Sequence, residues 1–198
     1  MTKPRPRTKP PEERRDELMN AAQRLFLAHG VAPTTIEQIT SSADVAKGTF
    51  YLYFTSKEDV VAALRERFAQ KLLERIKTGV DERRAGDWTG KLEAWATASV
   101  TGYLDSMQLH DVVFYESRAP SREGLVDNAI IDHLFGLLQA GVAAGAWSID
   151  DPRFTAVFLF NGLHGVVEHA NTKEKRLVRG RLIAKLQEAC FRAVGLRR

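Results

Sequence analysis

Apolar residues return every three to four positions along nearly all of this chain, and the period-2 alternation of strands is scarce. Leu18, Ala21, Ala22, Leu25 and Phe26 fall at i, i+3, i+4, i+7 and i+8, one stripe of a first helix, and Gly30 stands where that helix should stop. Thr35-Ile36-Glu37-Gln38 reads as a capping box that opens a short second helix, with Thr34 an alternative cap one residue earlier. That helix turns Ile36 and Ile39 inward and ends near Ala43, and a third runs from about Ala46 to Phe54. Ser56-Lys57-Glu58-Asp59 has the form of a cap and an acidic first turn. The helix it opens carries Val61, Leu64, Phe68, Leu72 and Ile76 up to Gly79, a span of roughly 30 Å at 1.5 Å per residue, enough to connect two structural units.

The polar stretch from Asp81 to Asp87 predicts a loop. Beyond it Leu92, Trp95, Ser99 and Tyr103 mark another helix, and His110 to Ser117 a shorter one before the Ala119-Pro120 break. Ser121 to Gly145 reads as a helix burying Leu134, Leu137 and Leu138. Asp151 and Pro152 suit a cap and first-turn proline for a helix reaching Ala170. Asn171-Thr172-Lys173-Glu174 is expected to begin the last, with Leu182, Leu186, Ala189 and Cys190 on its apolar side. The fold expected is all-α with about nine helices: a basic tail over 1–11, a three-helix head over 12–56 and a helical body over 57–198.

Composition narrows the setting. With 198 residues, 44% of them apolar and 27% charged, the chain matches an ordinary globular protein, and no apolar run is long enough to span a membrane. The net charge of +4 is uneven: Lys3, Arg5, Arg7 and Lys9 precede the first acidic residue, in a tail broken by proline. Pro10, Pro11, Glu12 and Glu13 follow where a secretory signal would place apolar residues, so a cytoplasmic protein is expected. A single cysteine, Cys190, rules out an internal disulfide framework and any multi-cysteine metal site.

Two short helices joined by about three residues and packed under a third form a helix-turn-helix. Asp44 falls at the turn, and aspartate is among the few non-glycine residues that tolerate the left-handed conformation. The helix after it would present Lys47, Thr49, Tyr51 and Tyr53, all able to donate hydrogen bonds to phosphates or base edges. Gly48 would let the helix start approach the DNA backbone, and Lys57 adds a cation on the same side.

The runs from Leu18 to Phe26 with Gly30, from Ala43-Asp44-Val45-Ala46-Lys47-Gly48-Thr49-Phe50 through Tyr51-Leu52-Tyr53-Phe54, and Ser56-Lys57-Glu58 resemble the signature of the tetracycline-repressor (TetR/AcrR) family over roughly a quarter of the chain. The resemblance implies a DNA-binding head, a ligand-binding helical body, a homodimer joined through the last two helices, and release from an inverted-repeat operator by a small molecule. Carried over by position, Thr35, Tyr53 and Lys57 would meet phosphates, and Lys47, Gly48, Thr49 and Tyr51 would face the major groove. Three departures stand out: Asp44 in place of a turn glycine, Thr40 in place of an alanine, and Glu37 where many members carry a basic residue.

Each feature also has a plainer reading. Phe50 and Phe54 share a face with Ile39 and Phe26 and suit a core, whereas the phenols with Lys47 and Gly48 beside them favour DNA contact. The basic tail suits either a solvated end or a phosphate contact. His164 and Glu168 lie one turn apart, with His169 beside them and His110 and His133 elsewhere. Without an HExxH pattern they read as polar or pocket-lining residues, so no metal and no cofactor is expected. Cys190 reads as inert core or interface. Trp95, Tyr103, Phe114, Tyr115 and Phe158 are the candidates to line an effector cavity, against the commoner role of core aromatics. Val166, Val167, Leu182, Leu186 and Phe191 are the candidate dimer contacts. The sequence holds no nucleophile–base set and no phosphate-binding loop, so an enzyme is not expected. The alternative within the same fold is a DNA-binding regulator without a small effector, controlled by a protein partner.

Overall fold

The computed structural model describes residues 9–115, 128–173 and 178–196, and among these nine helices and no strands are present. They are α1 (Pro11–His29), α2 (Ile36–Ser42), α3 (Lys47–Phe50), α4 (Lys57–Asp81), α5 (Trp88–Asp105), α6 (Met107–Phe114), α7 (Ala129–Ala143), α8 (Pro152–Lys173) and α9 (Arg179–Ala193). The expected all-α class holds, because the 3.6-residue period of the sequence leaves each helix one face to bury.

The helices gather into two compact units, and α4 supplies residues to both. The first unit comprises the described residues up to 68 and those from 108 to the end of α6. Its core holds Leu18, Ala22, Phe26, Ile39, Phe50 and Leu64, each at most 1% exposed. The second comprises the rest of α4 with α5, α7, α8 and α9, around Leu92, Trp95, Leu134, Leu138, Ala156 and Val167, all fully buried. Within it α5 packs chiefly on α9, and α7 on α8.

Caps set the helix ends. Asp87 accepts from the Gly90 amide, Asn128 from Ile130 and Asp151 from Phe154, each at 2.9 Å, so Asp151-Pro152 opens α8 as its sequence suggests. Gly145, at φ 69°, turns the chain after α7, and the Ala146 amide returns to the Gly141 carbonyl at 2.9 Å. There the Trp147 indole lies so close to Gly141 that a Cβ would come within 2.1 Å of its ring, and its Nε1 donates to the Leu138 carbonyl at 2.9 Å.

Four boundaries differ from those expected, the first being that the helix expected over Ser121–Gly145 begins, among the described residues, at Ala129 after the extended cap Asn128. The third helix is helical only over Lys47–Phe50, because the next amides make i→i−3 bonds: Leu52 to Thr49, and Tyr53 to Phe50. Asn171-Thr172-Lys173 ends α8 instead of starting the last helix, which begins at Arg179. Helix α6 begins three residues before His110 and ends at Phe114. The Ala119-Pro120 break, residues 121–127 and the tail cations Lys3, Arg5 and Arg7 lie outside the described residues.

Candidate nucleic-acid interface

The first unit builds its surface from a turn and two anchors. Helix α2 starts with a complete capping box: the Thr35 hydroxyl accepts from the Gln38 amide at 3.2 Å, and the Gln38 side chain accepts from the Thr35 amide at 2.8 Å. Thr34, 1% exposed, sends its hydroxyl the other way, to the Gly30 carbonyl at 2.7 Å. Thr40 returns its hydroxyl to the Ile36 and Glu37 carbonyls, both at 3.1 Å, so the threonine is satisfied where it is buried.

Helix α2 ends on Ala43, whose amide still bonds Ile39, and Asp44 then takes φ 53°. This is the left-handed residue expected at the turn. The Val45 amide reaches back to the Thr40 carbonyl at 3.0 Å, which closes the corner. Phe50 and Phe54, 0% and 2% exposed with ring centroids 5.7 Å apart, pin the following segment to the core. What they pin leaves its other side in solvent. Lys47, Gly48, Tyr51 and Leu52 are exposed, while Thr49 and Tyr53 are half-buried. A Cβ added to Gly48 would meet nothing within 4 Å, so packing inside the protein does not require glycine there.

Electrostatics modify the surface. The Lys47 ammonium pairs with Glu37, both exposed, and the contact holds the Glu37 carboxyl below its usual range and the lysine above its own. Glu37 thus faces the cation of the recognition segment, where a basic residue would have added a second positive charge. Lys57 is turned inward. Its ammonium donates to the carbonyls of Val31, Ala32 and Thr34 at 2.8, 3.0 and 2.6 Å, one acceptor for each N–H, and so ties the start of α4 to the connection between α1 and α2. Thr35, Lys47 and Lys57 border one open cleft.

The five aromatics proposed for a cavity are divided between the two units. Trp95 and Tyr103 lie on α5 in the second unit, 0% and 5% exposed. Phe114 belongs to the first unit, its ring 4.6 Å from that of His110 and beneath the Arg65 guanidinium. Tyr115, beyond the end of α6, is 56% exposed. Phe158 is 60% exposed on α8 and stacks on Phe154, itself 67% exposed. The proposed dimer contacts also divide. Val167, Leu182, Leu186 and Phe191 fill the core of their own unit, a correction to their assignment, whereas Val166 is 45% exposed. The apolar residues left uncovered on α8 are Phe154, Val157, Phe158 and Val166. The i, i+4 spacing of Phe154 and Phe158 was visible in the sequence, but nothing there told an outward stripe from an inward one.

His164 lies 4.0 Å from Glu168, and among the described residues no group of three or more His, Cys, Asp or Glu side chains is placed to hold a metal. Burial raises the Cys190 thiol to about 12, which makes it unreactive. Among the described residues no helix is long and apolar enough to cross a membrane.

A capped α2, a left-handed corner and a short solvent-facing segment pinned by two buried phenylalanines define a helix-turn-helix DNA-binding domain. Residues 18–64 match the family described as "Bacterial regulatory proteins, tetR family". The chain is 31% identical over 153 residues to the HTH-type transcriptional repressor KstR2 of Mycolicibacterium smegmatis, spanning 71% of this chain and 70% of that protein. It is 34% identical over 74 residues to the uncharacterized HTH-type transcriptional regulator YerO of Bacillus subtilis, a match that spans 37% of this chain but only 25% of that protein. Among solved structures, the fatty acid degradation regulator FadR from Bacillus halodurans superposes with a TM-score of 0.72 at 26% identity, covering 96% of this chain and 99% of that one. The chain belongs to the TetR family and is a DNA-binding transcriptional regulator.

Proposed function

We propose that the protein is a repressor that binds an inverted-repeat operator as a homodimer and leaves it when a small, largely apolar effector occupies the second unit. The observation that carries the DNA half is the segment from Lys47 to Tyr53, short and solvent-facing yet fixed by Phe50 and Phe54. In this reading Lys47, Gly48, Thr49 and Tyr51 face the major groove, and Thr35 and Tyr53 meet phosphate. Lys57 positions the turn before α2, because its three N–H donors are already engaged. The repressor role follows the KstR2 relative.

One recognition segment buries too little surface for tight, specific binding, so two copies reading half-sites about one duplex turn apart are required. The uncovered Phe154, Val157, Phe158 and Val166 on α8, with open space beside Gly162 and Gly165, supply the face on which the second copy packs. An effector can displace the operator only by its differential affinity for two states, typically about 1–3 kcal/mol, and operator must then weaken effector binding by the same factor. Selection from random duplexes followed by footprinting tests the operator. Two symmetric half-sites are expected, and protection of a single half-site by a monomer would overturn the reading. Titrating an effector with and without operator tests the coupling, and equal affinities in the two titrations would refute it.

A further inference from the structure

Helix α5 carries two buried polar groups that its own structure leaves unanswered. Trp95 is 0% exposed and Ser99 4% exposed, and neither the indole Nε1 nor the Ser99 hydroxyl has a hydrogen-bond partner. Neighbours show that this is not forced by the helix. Thr97 and Thr101 return their hydroxyls to the carbonyls one turn back, at 2.8 and 2.7 Å, and the Trp147 indole finds the Leu138 carbonyl. An orphaned buried donor costs about 1–3 kcal/mol, so two on one face call for an explanation.

Trp95 and Ser99 are one turn apart on one face of α5, with Cβ atoms about 5–6 Å from each other. Tyr103, a further turn along, meets His164 of α8 edge-on at 4.9 Å, and Phe160 lies 6.4 Å from the same imidazole. Burial lowers the basicity of His164, so it is uncharged near neutral pH. The guanidinium groups of Arg75 and Arg179, near the end of α5, both pair with Asp105. The stripe therefore offers an N–H and an O–H beside aromatic rings, and Lys91, one turn before Trp95, holds its ammonium over the Trp88 ring.

We propose that Trp95 and Ser99 bind the carbonyl oxygen of a neutral, mostly apolar ligand, with Tyr103 and His164 as its aromatic wall. This rests on the effector reading above and adds the chemistry by which the second unit would recognise its ligand. Water in place of a ligand, and a carboxylate in place of a ketone, are the alternatives that the test separates.

The probes are 4-phenylbutan-2-one, butylbenzene (the same skeleton without the carbonyl) and 3-phenylpropanoate, added to the intact protein. Binding of the ketone should move the Trp95 indole proton resonance, identified by its loss in Trp95→Phe, while butylbenzene should not move it and the Trp147 resonance should stay in place. The ratio of ketone to butylbenzene affinity should fall about tenfold in Trp95→Phe and likewise in Ser99→Ala, the loss of one hydrogen bond in each case. Ser99→Ala removes only an oxygen and keeps the test available should Trp95→Phe fold poorly. A Trp95 resonance unmoved by the ketone, or a ratio unchanged in Ser99→Ala, overturns the site, and tighter binding of 3-phenylpropanoate overturns the neutral class. The effector reading fails separately, if saturating ketone shifts the resonance yet leaves operator affinity unchanged.

Discussion

Replacing Phe158 with aspartate should separate assembly from folding. Phe158 is 60% exposed and stacks on Phe154, 67% exposed, so neither ring supports the core of its own unit. Taking about 200 Å² for a phenylalanine side chain, the exposed part of Phe158 is about 120 Å², or about 3 kcal/mol at 25 cal/mol per Å². A two-fold interface would count this twice, about 6 kcal/mol, an upper bound because area converts incompletely into affinity. Half of that bound still raises the dimer dissociation constant about a hundredfold. Sedimentation velocity at micromolar concentration should therefore show Phe158→Asp as a monomer, with helical circular dichroism and thermal midpoint near those of the parent. Operator affinity should collapse with it, since two half-sites can no longer be read together. Leu186→Asp is the contrast. Leu186 is 7% exposed inside its unit, so the charge would be buried without a partner, which costs about 3–5 kcal/mol and reduces folding itself. An intact dimer for Phe158→Asp, or a folded monomer for Leu186→Asp, would show that the interface lies on the other face.

Lys57→Met should lower the stability of the first unit by about 1.5–3 kcal/mol through the loss of charge-assisted bonds to three carbonyls, with a smaller change in the salt dependence of DNA binding than the ~0.9 in slope expected for a lost phosphate contact. A full drop in slope with unchanged melting would return Lys57 to the phosphate contacts. Gly141→Ala should cost about 1–3 kcal/mol in urea denaturation, because its Cβ would fall 2.1 Å from the rigid Trp147 ring; a variant as stable as the parent refutes that packing. His133 and His164 are both held below the ordinary histidine pKa of 6.5, first of all by burial, so the unfolded chain takes up protons before the folded one as pH falls. Their contribution is complete above that pH and is lost below it, and His164→Phe should shrink the fall in urea midpoint between about pH 7.5 and about pH 5.5; an equal fall in both proteins contradicts this.

Much of the DNA-binding unit was legible in the chain because its signals are local. The Thr35–Gln38 capping box, the Asp44 turn and the Ser56 cap each depend on residues within one turn of one another, and each formed as expected. The all-α class followed from periodicity alone, which fixes that a helix has an apolar face. Periodicity does not say what that face meets. Val167 and Val166 are adjacent on α8, yet one is fully buried in its own unit and the other is 45% exposed, and only the packing of α7 and α9 against α8 decides which. The same is true of Phe158, which the family resemblance made one of five candidates for an effector cavity and which the packing of its unit leaves 60% exposed. Lys57 shows the limit most plainly. Its charge and place in the motif pointed to phosphate, but the Val31, Ala32 and Thr34 carbonyls that take its protons lie more than twenty residues away in sequence, and a distance of that kind exists only once the chain has folded.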